Sequence, residues 1–135
     1  DKPDTARKWR YYHNLYGIWQ ASDKFGITIG FDIGTEGKNT WYTPIGIARF
    51  APNNKWAIAY RAEYFKDRDG VIISTGTPNG FATFGNSLNI DYLPADHIMM
   101  RLEGRLLDSK DDIFTKNGSL RAGNTALTFS TSVYF

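Results

Sequence analysis

Apolar and polar residues alternate along most of this chain, and an alternation with period two predicts β-strands rather than helices. Most of the alternating segments are about 10 residues long, which is the length of a tilted strand that crosses a bilayer. That is longer than the usual strand of a soluble protein. The pattern predicts seven strands, at residues 9–20, 25–34, 41–50, 56–65, 81–92, 98–107 and 125–135.

The connections between the predicted strands fall into two groups. ASDK, APNNK and LPADH are short and rich in turn-forming residues, whereas TEGKN, KDRDGVIISTGTPNG and DSKDDIFTKNGSLRAGN are longer and polar or rich in glycine. The two kinds alternate along the chain, as they do in outer-membrane barrels with short periplasmic turns and long extracellular loops. The apolar stretch VIIST is predicted to form an outer hairpin, because an added crossing would reverse every later strand.

Each strand has an apolar and a polar face, and the charges identify the environment of the polar one. Two strands, 56–65 and 98–107, carry five charged residues on one side. If that side faced lipid, the penalty would be on the order of 10 kcal/mol, so the charges must face a lumen or water. The predicted lumen-facing residues are Arg10, Asp32, Arg61, Glu63, Asp91, Arg101, Glu103 and Arg105.

These charges allow two interpretations. Rings of side-chain charge set the ion preference of a pore, and the excess of arginine in the two best strands would mildly favour anions. Alternatively, the charges cross-link the wall as a structural ladder that no solute reaches.

Strand 41–50 fits the two-face pattern least well. Placing Arg49 on the polar face puts Ile45 and Ile47 there too. A bulge near Pro44 that changes the register is therefore the alternative prediction.

Aromatic residues lie near the ends of the predicted strands, as membrane-interface girdles require. The last strand also keeps one apolar face to the final residue, which is typical of a signal for barrel assembly. The predicted interface aromatics are Trp9, Trp19, Trp41, Tyr42, Trp56, Tyr64 and Tyr92, and the terminal face consists of Leu127, Phe129, Thr131, Val133 and Phe135.

A soluble protein remains the alternative at this point. An up-and-down barrel of this length could bind a lipid or another small apolar ligand, with its apolar face inside. A third class is a closed structural or interaction barrel whose long loops bind another protein.

Composition removes several other classes. The net charge is +2, and the basic residues are scattered, so a nucleic-acid partner is not expected. The chain has no cysteine, and its only histidines, His13 and His97, are far apart, so no metal site or cofactor is expected. KDRDG and DSKDD lack a complete calcium-loop pattern, and no GxSxG motif or phosphate loop is present. We therefore expect no enzyme.

The strand count bears on the extent of the chain. Bacterial single-chain barrels have even numbers of strands with both termini periplasmic, whereas this pattern gives seven strands and starts on the long-loop side. This predicts that residues 1–135 form one barrel segment, the C-terminal portion of a longer chain with at least one strand upstream.

Six stretches of the chain resemble the C-terminal half of the OmpL-like β-barrel porin-2 family of Gram-negative outer membranes. They are FDIG, WYTPIGIARF, KWAIAYRAEYF, GVIISTGTPNGF, SLNIDYLP and MRLEGRLLDSKDDIF. The resemblance spans residues 15–135, and GTPNGF and RLEGR are its more specific parts. It implies a transmembrane β-barrel in the outer membrane that lets ions or small polar solutes diffuse. The expected partners are outer-membrane lipid, the barrel-assembly machinery and small solutes, and whether the chain also forms a homo-oligomer stays open.

Overall fold

The computed structural model describes residues 8–135, which form one antiparallel sheet of seven strands and a small two-stranded hairpin. Each strand of the large sheet pairs with the next large strand along the chain, in the order β1-β2-β3-β4-β5-β6-β9. The prediction of an all-β, up-and-down antiparallel fold is confirmed. The strands are β1 (Arg10–Ser22), β2 (Phe25–Glu36), β3 (Asn39–Asn53), β4 (Trp56–Asp67), β5 (Phe81–Ala95), β6 (Ile98–Ser109), β7 (Phe114–Lys116), β8 (Ser119–Arg121) and β9 (Gly123–Val133).

All seven predicted strands extend further into a neighbouring connection than the alternation indicated. One connection, TEGKN, was predicted to be long, and this prediction is wrong. Thr35 pairs with Thr40 and Glu36 with Asn39, so only Gly37 and Lys38 remain in the turn between β2 and β3. Gly37 has a φ of 65°, a left-handed conformation that glycine adopts without steric penalty.

The outer hairpin lies in a different connection from the one that the sequence predicted. VIIST, at residues 71–75, is irregular, whereas β7 and β8 form a hairpin in the connection between β6 and β9. Its turn is Asn117–Gly118, and both residues have positive φ, 53° and 78°. An Asn-Gly turn of this kind matches the twist of the flanking strands. VIIST forms no strand, and its Ile73 lines a cavity on the sheet.

The short turns share one rim with a repeated geometry. β1, β3 and β5 each change register just before the turn, between Gln20 and Ser22, Phe50 and Asn53, and Tyr92 and Ala95. The bulge predicted near Pro44 is absent, because the pairs Tyr42–Lys66 and Ile45–Glu63 keep one register across it. Ile45 and Ile47 therefore do lie on the polar face.

The same rim fixes the end of β9. The backbone N–H of Tyr134 donates to the carbonyl of His97, at 3.1 Å, and the two rings pack edge to face at 5.5 Å. The strand therefore ends at Val133, and Phe135 is fully exposed beyond it. The prediction that the strand continues to Phe135 is corrected, because Tyr134 rather than Phe135 is held at the rim.

β1 and β9 are the two edges of the sheet, and both run from the long-loop side to the short-turn side. Each is exposed along its whole length. Within residues 8–135, no helix has the length and apolar content needed to cross a membrane.

Candidate functional site

The polar face of the sheet collects the charged residues. Cross-strand partners share a face, and Ser87 of β5 lies opposite both Arg61 of β4 and Arg105 of β6. The same register places all eight residues of the sequence-predicted set on this face, seven of them in two ionic clusters and two further contacts.

The first ionic cluster is a triad that crosses three strands. The carboxylate of Glu63 accepts hydrogen bonds from Arg61 on its own strand and from Nη2 of Arg105 on β6, at 2.7 Å in the second case. The bridge passes over Gly85 of β5, where a Cβ atom would lie 3.0 Å from the Glu63 side chain. The cluster carries two positive charges and one negative charge.

The second ionic cluster lies nearer the short turns. Arg101 donates from Nε and Nη2 to the two carboxylate oxygens of Asp91, at 2.6 and 2.8 Å. This paired geometry is the strongest form of an arginine–carboxylate contact. Asn89 donates to the same carboxylate at 3.2 Å, so this cluster is electrically neutral.

Two more of the predicted residues lie toward the long loops. Arg10 donates to Glu36, with the shorter contact at 2.6 Å, and Asn14 donates to Asp32. Glu103, the last of the set, lies opposite Asn89 on the same face.

Trp41 belongs to this polar face, which corrects its assignment to the membrane interface. It is 4% exposed, its ring covers the backbone at Gly34, and the Arg10 guanidinium lies 5.6 Å from the ring centre. Since Gly34 and Trp41 pair directly across β2 and β3, the missing side chain of Gly34 makes room for the ring.

Gly34→Ala should therefore destabilise the fold, because the new Cβ atom would overlap the Trp41 ring. We expect a loss of about 1–3 kcal/mol in the free energy of unfolding, the usual effect of overpacking. Urea unfolding in detergent, followed by tryptophan fluorescence, measures this. Gly46→Ala is the matched control, since a Cβ atom at Gly46 meets open space; equal losses in the two variants would refute the packing role.

The opposite face of the sheet is apolar and carries two groups of aromatic residues. Near the short turns, the rings of Trp56 and Tyr92 lie 4.5 Å apart. Near the long loops, Tyr42 lies 6.3 Å from both Phe31 and Tyr64. From Trp56 to Tyr64 along β4 the distance is about 26 Å, or about 20 Å across a membrane at the usual strand tilt, close to the apolar band of a membrane barrel.

Other residues predicted for the apolar face also lie there. Trp19 pairs with Ile27, and Tyr60 with Leu88, in rows that continue to β9. Trp9 is exposed just before β1. The apolar face of β9 consists of Leu127, Phe129, Thr131 and Val133, which pair with Gly104, Leu102, Met100 and Ile98.

Two faces that differ in chemistry also differ in crowding. On β5, Ser87 of the polar face is 7% exposed and Leu88 of the apolar face is 49% exposed. Thr83 and Phe84 show the same contrast. Small side chains of the polar face are therefore covered by their neighbours, whereas large side chains of the apolar face are open to their surroundings.

The long connection 68–80 is anchored at both ends, which the sequence pattern did not indicate. The carboxylate of Asp67, which is fully buried, accepts hydrogen bonds from the N–H groups of Val71, Ile72 and Ile73, at 3.0, 2.6 and 2.9 Å. The sequence shows only an aspartate at the end of a strand. Its burial, which identifies it as the anchor, is known only from the fold.

The other anchor joins the two long connections. Asn79 donates from its side chain to Asp111 at 2.8 Å and from its backbone at 2.9 Å. The side-chain bond from Asn79 is the main reason that the pKa of Asp111 lies below its usual range, followed by the backbone bond. Asp111 therefore stays ionised at neutral pH.

Metal binding has no support on the part of the chain that the structure describes. No three His, Cys, Asp or Glu residues come together there in a group that could hold an ion.

Comparison with known proteins identifies one family. The model of the family described as putative beta-barrel porin-2, OmpL-like, matches residues 1–135. The resemblance found in the sequence is thereby confirmed over the whole chain. Among curated proteins nothing matches, and among solved structures nothing matches either.

Proposed function

The chain belongs to the OmpL-like β-barrel porin-2 family, and we propose that it forms part of the wall of an outer-membrane pore. Ions and small polar solutes would diffuse passively along the polar face, and lipid would cover the apolar face. The family supports a porin-type role. The chemistry of the two faces supports the proposal that solutes pass along the polar face and that lipid covers the apolar face.

The observation that carries the proposal is the contrast between the two faces in chemistry and exposure. The polar face holds the ionic clusters, whereas large apolar side chains of the other face are exposed, with Leu88 at 49% and Leu127 at 76%. A soluble protein rarely exposes apolar patches of more than a few hundred Å². A soluble ligand-binding barrel would need its apolar face enclosed and its ionic clusters outside.

The two open edges also agree with a wall rather than a finished ring. Because β1 and β9 run in the same direction, an all-antiparallel ring requires an odd number of further strands between them. In the proposed pore, these further strands therefore pair with β1 and β9 and close the ring.

Arg105→Ala should lower a preference of the pore for anions, because it leaves the triad with one arginine and one glutamate. Reversal potentials under a salt gradient in a planar bilayer measure this preference. Arg121→Ala removes the same charge from the outer hairpin and serves as the control. Unchanged reversal potentials in Arg105→Ala would contradict the assignment of the triad to a conducting lumen.

A further inference from the structure

A cavity of about 220 Å³ lies on the polar face beneath the long connection 68–80. Its walls are largely apolar, formed by Phe65, Phe81, Leu107 and Ile73. Phe65 and Phe81 pack edge to face, with ring centres 5.5 Å apart. The cavity therefore offers an aromatic wall on a face that is otherwise polar.

The cover of this cavity is fixed in place. Ile73 belongs to the long connection, and its backbone N–H donates to the buried Asp67 carboxylate at 2.9 Å. The N–H groups of Val71 and Ile72 donate to the same carboxylate. Three hydrogen bonds to one buried charge hold this segment against the sheet.

One polar group in the cavity wall lacks a partner. Thr83 is 3% exposed, and its hydroxyl makes no hydrogen bond to any of the residues that the structure describes. A buried hydroxyl without a partner destabilises a fold, so it points to a molecule that binds beside it. A hydroxyl can donate to an anionic oxygen.

The charge at the cavity favours an anion. Arg105 and Glu63 both line it, and Nη2 of Arg105 binds Glu63, while a guanidinium has further N–H groups that can donate. Glu63 also binds Arg61, which does not line the cavity, so the Glu63 charge is compensated from outside the cavity and the triad carries one net positive charge. A carboxylate could thus accept from Arg105, and from Thr83 after its hydroxyl rotates toward the cavity, while its apolar part contacts the phenylalanines.

We propose that this cavity binds small carboxylates that carry an aromatic or compact apolar body. The proposal rests on the proposed function, since the ligand reaches the cavity from a water-filled lumen, and it names a class of solute for that lumen. The volume of about 220 Å³ lies below the range of pockets for drug-sized ligands. A single ring with one carboxylate is therefore the expected size.

Isothermal titration calorimetry of the folded chain in detergent micelles tests the proposal with three probes. Benzoate, benzyl alcohol and benzylamine each have one phenyl ring, and they are negative, neutral and positive at neutral pH. We expect saturable binding in the order benzoate, benzyl alcohol, benzylamine, after subtraction of titrations into empty micelles. Thr83→Val should weaken benzoate binding about tenfold, the effect of losing a hydrogen bond to a charged group. Arg105→Gln should remove the preference for benzoate over benzyl alcohol.

Two further variants separate binding from folding. Thr83→Ser keeps the hydroxyl and should keep the affinity, and Thr128→Val makes the same change on the polar face of β9, away from the cavity, and should leave it unchanged. Equal binding of benzylamine and benzoate would overturn the proposal, as would unchanged benzoate binding in Thr83→Val or the absence of saturable binding.

The titration requires no ion flow, so it separates this inference from the pore. Conductance without benzoate binding would reject the cavity and keep the pore. Saturable benzoate binding that is lost in Thr83→Val, in a chain without conductance, would keep the cavity and reject the pore.

Discussion

Leu88→Arg should prevent stable insertion of the chain into a bilayer. Leu88 lies on the apolar face of β5, midway between Tyr92 of one aromatic group and Phe84, which pairs with Tyr64 of the other group. An arginine facing lipid at the midplane destabilises a membrane barrel by about 2–4 kcal/mol. Urea titration of the protein in lipid vesicles measures this free energy, and the folded fraction after reconstitution gives a second readout.

Asn89→Arg is the matched control for this substitution. Asn89 is the next residue of β5 and lies on the polar face, opposite Glu103. An arginine there meets water and acidic groups, so we expect a change of less than about 1 kcal/mol, the range of an exposed ion pair. If Asn89→Arg destabilised the protein as much as Leu88→Arg, or more, the assignment of the two faces would be wrong.

Glu63→Gln should produce the largest change in ion preference. It removes the only negative charge of the triad and leaves Arg61 and Arg105 without their shared carboxylate. One unit charge about 5 Å from a permeating ion changes its energy by roughly 0.8 kcal/mol in water, which is about a fourfold change in partitioning. The anion gains this energy and the cation loses it, so we expect the ratio of anion to cation permeability to rise about sixteenfold.

This change has the opposite sign to that of Arg105→Ala, and the pair of variants tests the triad as a unit. Reversal potentials in bilayers, recorded at low and high salt, measure both, and screening should reduce both effects at high salt. Asp112→Asn removes a negative charge from the long connection after β6 and is the control. A pore whose selectivity responds equally to Asp112→Asn and Glu63→Gln would not be controlled by the triad.

The strands and their faces could be predicted from the sequence because alternation reports directly on which side each residue faces. A polar residue on the apolar face interrupts this signal only locally. Asn86, for example, lies there opposite Ala62, and its side chain accepts a hydrogen bond from the Tyr60 hydroxyl. The register across β4 and β5 is unchanged by it.

Aromatic residues were less predictable, because a tryptophan near a strand end suits either face. Trp41 and Trp56 occupy equivalent places in the sequence pattern, at the start of a predicted strand. Trp41 nevertheless packs over Gly34 on the polar face, while Trp56 packs on Tyr92 on the apolar face. Strict alternation already separates them, because Trp41 shares its face with Arg49 and lies opposite to Tyr42. The assignment by position at a strand end overlooked this signal.

The connections were the least predictable part of the chain. The Asn117–Gly118 dipeptide is a recognised hairpin signal. The prediction placed the hairpin at VIIST instead, because that stretch is apolar. Asp67, Asn79 and Asp111 are separated by long stretches of sequence, and their hydrogen bonds depend on how two connections fold back. No local pattern predicts such contacts.

Depth-resolved fluorescence quenching in brominated lipids tests the central claim, that the apolar face meets lipid and the polar face meets water. Two variants would keep a single tryptophan each, Trp56 on the apolar face or Trp41 on the polar face, with the remaining tryptophans replaced by phenylalanine. We expect strong quenching of Trp56 by bromines near the headgroups and little quenching of Trp41. Equal quenching of the two, or a chain that stays in solution without detergent and shows no quenching, would contradict the account.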